Sequence, residues 1–305
     1  MSAYNGSRVN NEFSFYRLRF SFQAEGRVHF AKMAANTLRG AFGYALRAIA
    51  GDEFETIFTP GAAGPHPSGL ADLPRPFVFR SAHLDGATIE PGQSFQFDVN
   101  LFETRRPLGG IFAAAFELMG QRGIGPGSSQ LLLRAVETTP LVLSLAPCPA
   151  PIDAVSVEFL TPTELKWQEQ AVSEPLFPIL FARVRDRIAT LRALYGGGAL
   201  DIDFRAMGDR ASAIRMTASG IRYIEAARLS SRTGQRHPIG GFAGWAHYEG
   251  PLAEFLPWLQ AAAFTGVGRQ TTWGKGEIRV RTGNIPRGLR LAGATPCVQQ
   301  AYNQG

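Results

Sequence analysis

The sequence predicts an α+β fold built from two consecutive units that share one order of elements: strand, helix, strand, strand, helix, strand. Three observations predict it. Alternating and helical apolar patterns follow this order once before and once after a proline-rich segment at residues 147–151. Each half also carries a glycine-rich segment between its second helix and its last strand, at residues 120–127 and 266–276. Duplication of one supersecondary unit explains these regularities together.

The first unit is assigned from the spacing of its apolar residues. One face of its first helix is predicted from Leu38, Phe42, Ala45 and Ile49. A half-buried strand is predicted from the alternation of Phe95, Phe97, Val99 and Leu101. The full set of predicted elements is strand 12–23, helix 32–50, strands 77–82 and 94–102, helix 108–122 and strand 130–137, with a long glycine- and proline-rich loop at 60–74.

The second unit repeats that order after the proline-rich segment. Its predicted elements are strand 154–160, helix 175–195, strands 214–232 and 241–248, helix 252–264 and strand 277–280. A β-α-β-β-α-β order is typical of the ferredoxin-like (RRM-like) fold. We therefore expect two tandem ferredoxin-like domains, at residues 1–148 and 149–305, with one larger α+β domain as the alternative.

The composition favours a soluble globular protein with an acidic partner. The chain has 305 residues, a formal net charge of +6 and a pI of about 9.7. Among its 31 basic residues only Lys32, Lys166 and Lys275 are lysines. Arginine suits bidentate phosphate contacts and stacking on bases, so nucleic acid is the first candidate partner. Coding bias explains the arginine content equally well.

Cysteine and histidine spacing indicates neither a disulfide framework nor a metal site. Cys148 and Cys297 are far apart, and no histidine pair has ligand spacing. Residues 1–12 lack a signal-peptide pattern, and the longest apolar stretch, near 141–151, is too short and too rich in proline to span a bilayer. We expect a cytoplasmic protein that needs no metal and no other cofactor.

The segment 266–276 has the sequence Gly-Val-Gly-Arg-Gln-Thr-Thr-Trp-Gly-Lys-Gly. Its spacing does not fit a P-loop, and it runs from a predicted helix into a strand, the reverse of a dinucleotide-binding motif. Glycine lets a backbone approach a polyanion closely, and each half of the segment contains one cation. We therefore predict a loop that binds the phosphates of a nucleic acid through Gly266, Gly268, Arg269, Gly274, Lys275 and Gly276.

A second polar group lies on the predicted first helix. Its members recur at a spacing that places them on one stripe: Lys32, Asn36, Arg39 and Gly43. Two cations, an amide and a bare backbone on one face are suited to holding a phosphodiester. The alternative is the solvated polar face of an amphipathic helix.

Residues near this helix supply the groups needed to cleave RNA without a metal. The reaction requires a base for the 2′-hydroxyl proton, an acid for the leaving oxygen and a cation for the charge on phosphorus. We predict His29 as the base, Tyr44 or His66 as the acid, and Lys32 or Arg39 as the cation. The alternative is that both histidines are structural or simply exposed, as lone histidines often are.

Basic residues also mark a predicted hairpin in the second unit. Arg228, Ser230 and Arg232 alternate onto one strand face, and Arg236 lies in the following turn next to His237. We predict that this face binds structured RNA through phosphate contacts. The alternative is an edge strand that arginines protect from aggregation.

Short motifs along nearly the whole chain resemble one known family. They are Leu-Arg-Gly-Ala-Phe-Gly at 38–43, Pro-Arg-Pro-Phe-Val at 74–78, Gly-Ile-Gly at 123–125, Arg-Leu-Ser-Ser-Arg at 228–232, Ile-Gly-Gly-Phe-Ala-Gly at 239–244 and the glycine-rich segment 266–276. In these motifs and their order the chain resembles the RAMP-superfamily endoribonucleases that process CRISPR precursor transcripts.

The resemblance implies binding of the repeat in precursor CRISPR RNA and one metal-independent cut by the 2′-hydroxyl, which leaves a cyclic phosphate and a mature guide RNA. It also implies later contact with other subunits of a CRISPR effector complex. In this family the catalytic histidine usually belongs to the first helix or its flanking loops. Residues 32–50 contain no histidine, and His29 and His66 flank them.

Two other functions stay open on the sequence. One is a catalytically inactive RAMP subunit that binds RNA within a CRISPR effector complex. The other is a ferredoxin-like protein that acts on a small phosphorylated metabolite.

Overall fold

A computed structural model of the chain describes residues 11–61, 73–225, 227–229, 236–238 and 240–283, with the backbone alone for 227–229 and 236–238. Among these residues no helix is long and apolar enough to cross a membrane.

The first unit contains a four-stranded antiparallel sheet in the order β3-β5-β1-β6. Its strands are β1 (Glu12–Ala24), β2 (Val28–His29), β3 (Phe77–Arg80), β4 (Thr88–Ile89), β5 (Ser94–Leu101) and β6 (Leu131–Ser144). Its helices are α1 (Ala34–Ile49), α2 (Gly51–Phe58) and α3 (Gly109–Arg122). The short strands β2 and β4 pair with each other outside the main sheet.

The second unit repeats this architecture with a sheet in the order β10-β13-β7-β14. Its strands are β7 (Ala154–Thr163), β8 (Lys166–Trp167), β9 (Gln170–Ala171), β10 (Arg215–Ile224), β11 (Ala227–Leu229), β12 (Arg236–Pro238), β13 (Gly241–Glu249) and β14 (Ile278–Thr282). Its helices are α4 (Phe177–Tyr195), α5 (Phe204–Ala211) and α6 (Leu256–Thr265).

The predicted fold class is confirmed. In the first sheet β1 lies between β5 and β6, and in the second sheet β7 lies between β13 and β14. Counting only the four strands of each sheet, the first lies between the third and the last, which is the ferredoxin-like order. Two short helices, α2 and α5, were not predicted, and β6 extends to Ser144. The region predicted as one strand at 214–232 instead contains β10, which ends at Ile224, and the separate strand β11.

The two units share a core, so the domain boundary between residues 148 and 149 stays a prediction. On one face of β1, Phe20 and Phe22 pack with residues of α1 and α3. On the opposite face, Phe13 and Phe15 pack with residues of α4, α6 and the second sheet. The ring centroids of Phe15 and Phe264 are 5.1 Å apart. Helices α4 and α6 therefore lie between the two sheets.

The C-terminal end of α6 is held by side chains from both units. Arg80 Nε donates to the Ala263 carbonyl, Asn100 Nδ2 to the Phe264 carbonyl and Arg187 Nε to the Thr265 carbonyl, each at 2.9 Å. These are three of the carbonyls that a helix end leaves without a helical partner. We call Arg80, Asn100 and Arg187 the α6 clamp.

Two cations in the α6 clamp lie at the negative end of the helix dipole, where positive charge is stabilised. Burial and the neighbouring charge of Arg80 lower the pKa of Arg187 to about 9, so the guanidinium stays protonated at neutral pH. Because Gly266 follows α6 directly, the clamp fixes the point from which the glycine-rich loop starts.

We expect Asn100→Ala to lower the free energy of unfolding by about 1–3 kcal/mol, because the substitution at this buried position leaves the Phe264 carbonyl without its donor. Urea unfolding monitored by circular dichroism measures this change. The matched control is Gln96→Ala, an exposed position on the same strand, which should leave stability nearly unchanged. Equal effects of the two substitutions would contradict the role given to Asn100.

Candidate nucleic-acid interface

The glycine-rich loop 266–276 is a closed turn whose backbone forms hydrogen bonds within the loop, to the end of β7 and to the residue that follows β7. Val267 N donates to the Gly276 carbonyl at 2.9 Å, Gly276 N to the Pro162 carbonyl at 3.1 Å and Arg269 N to the Glu164 carbonyl at 3.1 Å. All four glycines of the loop have positive φ: 72° at Gly266, 81° at Gly268, 89° at Gly274 and 70° at Gly276. Residues that carry a side chain rarely adopt this backbone conformation, so these positions favour glycine.

The glycines Gly266, Gly268, Gly274 and Gly276 bring the loop close to other parts of the protein. A Cβ on Gly274 would lie 2.5 Å from the Cβ of Ala35, and one on Gly268 or Gly276 would clash with the carbonyl of Glu164 or Val267. Gly266, Gly274 and Gly276 are buried. Their backbone therefore packs against the protein, and phosphate binding by the loop glycines stays a prediction.

Glu164 pairs with both cations of the loop. Its Oε2 lies 2.8 Å from Lys275 Nζ, and its Oε1 lies 3.2 Å from Arg269 Nη1. Lys275 Nζ also donates to the Gly240 carbonyl at 2.7 Å. The Lys275 side chain is 0% exposed, whereas that of Arg269 is 54% exposed. The Lys275 ammonium therefore faces the protein interior, and its contact with a phosphate stays a prediction.

Burial and charge oppose each other in the pKa values of this pair. Burial alone would raise the pKa of Glu164, but the hydrogen bond and charge of Lys275, together with Arg269, hold it below its usual range. Burial also lowers the pKa of Lys275, and Glu164 counteracts that effect. Arg269 remains the loop cation that solvent and a ligand are able to reach.

The loop docks on the first helix of the other unit. A 3₁₀ turn at Thr271–Trp273 packs against α1 and β3. The guanidinium carbon of Arg39 lies 5.6 Å from the Trp273 ring centre and 5.1 Å from that of Phe58. The Arg39 guanidinium thus makes cation–π contacts with two aromatic rings, and these contacts stabilise the packing of the loop on α1.

This stacking continues along α2. The rings of Phe58 and Phe54 are stacked with centroids 4.7 Å apart, and the guanidinium carbon of Arg47 lies 4.4 Å from the Phe54 ring centre. We call Arg47, Phe54, Phe58, Arg39 and Trp273 the aromatic column. Gly43 faces the same column, because a Cβ there would lie 3.2 Å from Cε1 of Phe58. The bare backbone of Gly43 therefore contacts a phenylalanine rather than an open groove.

The predicted polar stripe on the first helix is interrupted at its start. Helix α1 begins at Ala34, because Met33 has a left-handed backbone (φ 69°) and Asp85 Oδ1 accepts the Ala34 N–H at 2.7 Å. Lys32 is exposed but precedes the helix, so it does not share a stripe with Arg39. Burial raises the pKa of Asp85, and its bonds from the backbone of Ala34 and Met33 oppose that shift.

The predicted catalytic residues that the structure describes, His29, Lys32 and Tyr44, do not share one element. His29 is exposed in β2, with Nδ1 3.0 Å from Thr88 Oγ1, and Lys32 follows in the segment before α1. Tyr44 is 59% exposed but ten residues into α1, roughly 15 Å along the helix axis from its start. His66 lies outside the described residues. His29 and Lys32 are three residues apart in the chain, and the catalytic roles of His29, Lys32 and Tyr44 stay predictions.

The predicted basic hairpin is present as a backbone ladder. Arg228 pairs with His237 and Leu229 with Arg236 between β11 and β12. Arg232 lies outside the described residues, so the RNA contacts of Arg228, Arg232 and Arg236 stay a prediction. His247, expected to pack in the core or the sheet, is 3% exposed, and its Nδ1 lies 2.8 Å from Ser156 Oγ.

Sequence reasoning missed the residues that hold this surface together. Glu164, Asp85 and Trp273 act through partners that are distant in sequence, and the α6 clamp joins residues from three elements. Trp273 was the one available signal, since a tryptophan inside a polar glycine-rich loop needs an apolar or cationic neighbour.

Two family models match the sequence, one in each unit. Residues 13–144 match a model described as an N-terminal domain, and residues 157–278 match the CRISPR-associated endoribonuclease Cas6. A search of curated protein sequences finds no match.

Solved Cas6 structures share the fold. Thermus thermophilus Cas6 (TTHB231) has a TM-score of 0.55 and 14% identity, over 88% of this chain and 99% of that one. A product complex of Cas6 (TTHA0078) has a TM-score of 0.56 and 18% identity, over 89% and 100%. A partial Cas6-RT-Cas1–Cas2 complex has a TM-score of 0.57 and 11% identity, over 93% and 49%. The match of the second unit to the Cas6 model confirms, over residues 157–278, the resemblance to CRISPR-associated endoribonucleases, and the solved Cas6 structures have a similar fold.

Proposed function

We propose that this chain binds the repeat in precursor CRISPR RNA and cleaves it without a metal ion to give mature guide RNA. The observation that carries the proposal is the Cas6 model match over residues 157–278, which contain the basic hairpin and the glycine-rich loop. Product and substrate-mimic complexes of Cas6 (TTHA0078), similar in fold to this chain, support it further.

The bound RNA follows a surface that joins the two units. Trp273 of the loop stacks on Arg39 of α1, so the loop that carries the exposed cation Arg269 contacts the first helix of the other unit. The β11–β12 hairpin adds Arg228 and Arg236 to the basic residues of the second unit. A backbone carrying one charge per nucleotide gains affinity from each of these cations.

His29 and Lys32 are the proposed catalytic pair. The Thr88 hydroxyl is bonded to Nδ1 of His29, which leaves Nε2 to take the proton from the 2′-hydroxyl. The freed oxygen attacks the adjacent phosphorus, the bond from phosphorus to the 5′-oxygen breaks, and a 2′,3′-cyclic phosphate and a 5′-hydroxyl form. The Lys32 ammonium offsets the charge on phosphorus. His66 or Tyr44 protonates the leaving oxygen.

We expect His29→Ala to lower the single-turnover cleavage rate of repeat RNA by about 10²- to 10⁴-fold in a chelating buffer, because the base is removed. Its affinity for RNA should stay nearly unchanged. The control is His83→Ala, an exposed histidine whose Nε2 bonds the Gln96 carbonyl at 2.8 Å. Full activity of the His29 variant would contradict the assignment, and absence of cleavage by the unaltered protein would contradict the enzyme proposal.

We expect Arg269→Ala to weaken RNA binding and to reduce the slope of log affinity against log salt by about 0.7–0.9, because one phosphate contact is lost. Fluorescence anisotropy over a series of salt concentrations measures the slope. Arg122→Ala, at the exposed end of α3, is the matched control and should keep the original slope. An unchanged slope for Arg269→Ala would give the loop a purely structural role.

We expect Glu164→Gln to lower the free energy of unfolding at neutral pH by about 3 kcal/mol, because it leaves the buried Lys275 ammonium without its carboxylate. The folded pKa of Glu164 lies below its usual range, so its contribution is present above the unfolded pKa and is lost as the pH falls through the folded value. Urea unfolding between neutral and acidic pH should show the two proteins converging in acid.

The control for this experiment is Glu169→Gln, whose carboxylate is 96% exposed beside Lys166 and should contribute little. A constant difference between the Glu164 variant and the unaltered protein at all pH values would contradict the charge pairing with Lys275.

A catalytically inactive RNA-binding subunit of a CRISPR effector is the second candidate function. It is favoured by the sequence of α1, which contains no histidine, and by the distance between Tyr44 and the start of the helix. The cleavage assay with His29→Ala distinguishes the two, because an inactive subunit binds the repeat and leaves it intact with or without the substitution.

A further inference from the structure

The second sheet has one face that is not covered by its helices. Val157, Ala246 and Tyr248 point into the core formed with α4 and α6. Because neighbouring residues in a strand point to opposite faces, Glu158 and Trp245 lie on the other face. In register they form a row across all four strands, in the order Gly220, Trp245, Glu158 and Arg279.

Trp245 lies in this row with its indole against the neighbouring strand. A Cβ on Gly220 would lie 2.5 Å from Trp245 Nε1 and 2.8 Å from Cε2, so the ring covers the bare backbone of that glycine. The residue is 37% exposed although it belongs to the central strand β13. An exposed indole supported from below by backbone is a surface on which another flat ring is able to stack.

The charged residues around Trp245 are predominantly positive. Arg279 and Arg281 of β14 both bind Glu158, at 3.2 and 3.4 Å, so this carboxylate is more than neutralised. Arg222 lies two residues beyond Gly220 on the same exposed face, opposite Ala243 in the register. Arginines on the two outer strands, β10 and β14, therefore lie on either side of the indole on this face. This pattern suits a ligand that combines several negative charges with flat rings.

We propose that Trp245 is a stacking platform for an unpaired base of single-stranded RNA, with Arg222, Arg279 and Arg281 contacting the flanking phosphates. Only an unpaired strand presents a base face to a protein surface in this way. The platform does not depend on an aromatic ribonucleoprotein motif, which the central strands lack. This inference rests on the proposed function in one respect, that the ligand is RNA.

The test measures binding of a single-stranded RNA of about ten nucleotides, a length within the range of such sites, in a chelating buffer. We expect Trp245→Ala to weaken binding by about tenfold, because one stacked base is lost, and Trp245→Phe to retain most of the affinity. Trp167→Ala, a 48% exposed tryptophan in β8, is the matched control and should bind like the unaltered protein.

Equal losses for Trp245→Ala and Trp245→Phe, or no loss for either, would overturn the proposal. Urea unfolding of each variant shows whether a loss of RNA affinity arises from misfolding. If the alanine variant is misfolded, the phenylalanine variant decides the test. The proposal is overturned if the phenylalanine variant is folded and binds RNA as weakly as the alanine variant.

A second arm separates this inference from the proposed function. Repeat RNA is compared with and without a single-stranded extension, and Trp245→Ala should weaken binding of the extended RNA alone. If the repeat binds but the extension makes no difference, the platform is wrong and the proposed function stands. If neither RNA binds the unaltered protein, the proposed function fails and the platform fails with it.

Discussion

The hydrogen bonds at the C-terminal end of α6 determine how the two units fit together. A helix end leaves carbonyls that are costly to bury without donors, and here three consecutive carbonyls receive donors from β3, β5 and α4. Charge favours the same arrangement, because Arg80 and Arg187 lie at the negative end of the helix. Burial raises the pKa of Glu277, near Arg80, and the positive charge of Arg80 opposes that shift. The first unit thereby sets the position and direction of the chain where it leaves α6.

The glycine-rich loop inherits this fixed starting point and adds contacts of its own. Its glycines let it pack against Ala35 and its own backbone, Glu164 holds Lys275 inside, and Trp273 covers Arg39. Most of its glycines and charged groups therefore maintain the shape of the loop. Fewer groups of the loop are accessible to a ligand than its composition indicates. The chief accessible group is the guanidinium of Arg269.

The topology of both units could be predicted from sequence because apolar spacing is a local property. The positions of glycines and prolines also predicted where the loops lie. The positive φ values of the glycines in the loop 266–276 agree with a loop that requires glycine. The site was predicted less well, because its contacts are distant. Glu164 and Lys275 are 111 residues apart, and the start of α1 depends on Asp85, 51 residues away from Ala34. No local pattern shows whether a glycine makes room for a ligand or for another part of the chain.

The first strand has an evolutionary consequence. Phe13 and Phe15 of β1 are buried among residues of the second unit, whereas Phe20 and Phe22 are buried within the first. Recombination at the proline-rich segment would therefore separate Phe13 and Phe15 from the residues of the second unit that bury them. Each of the two resulting proteins would then expose aromatic surface. The two halves of this chain are therefore constrained to be inherited as a pair, although they repeat one architecture.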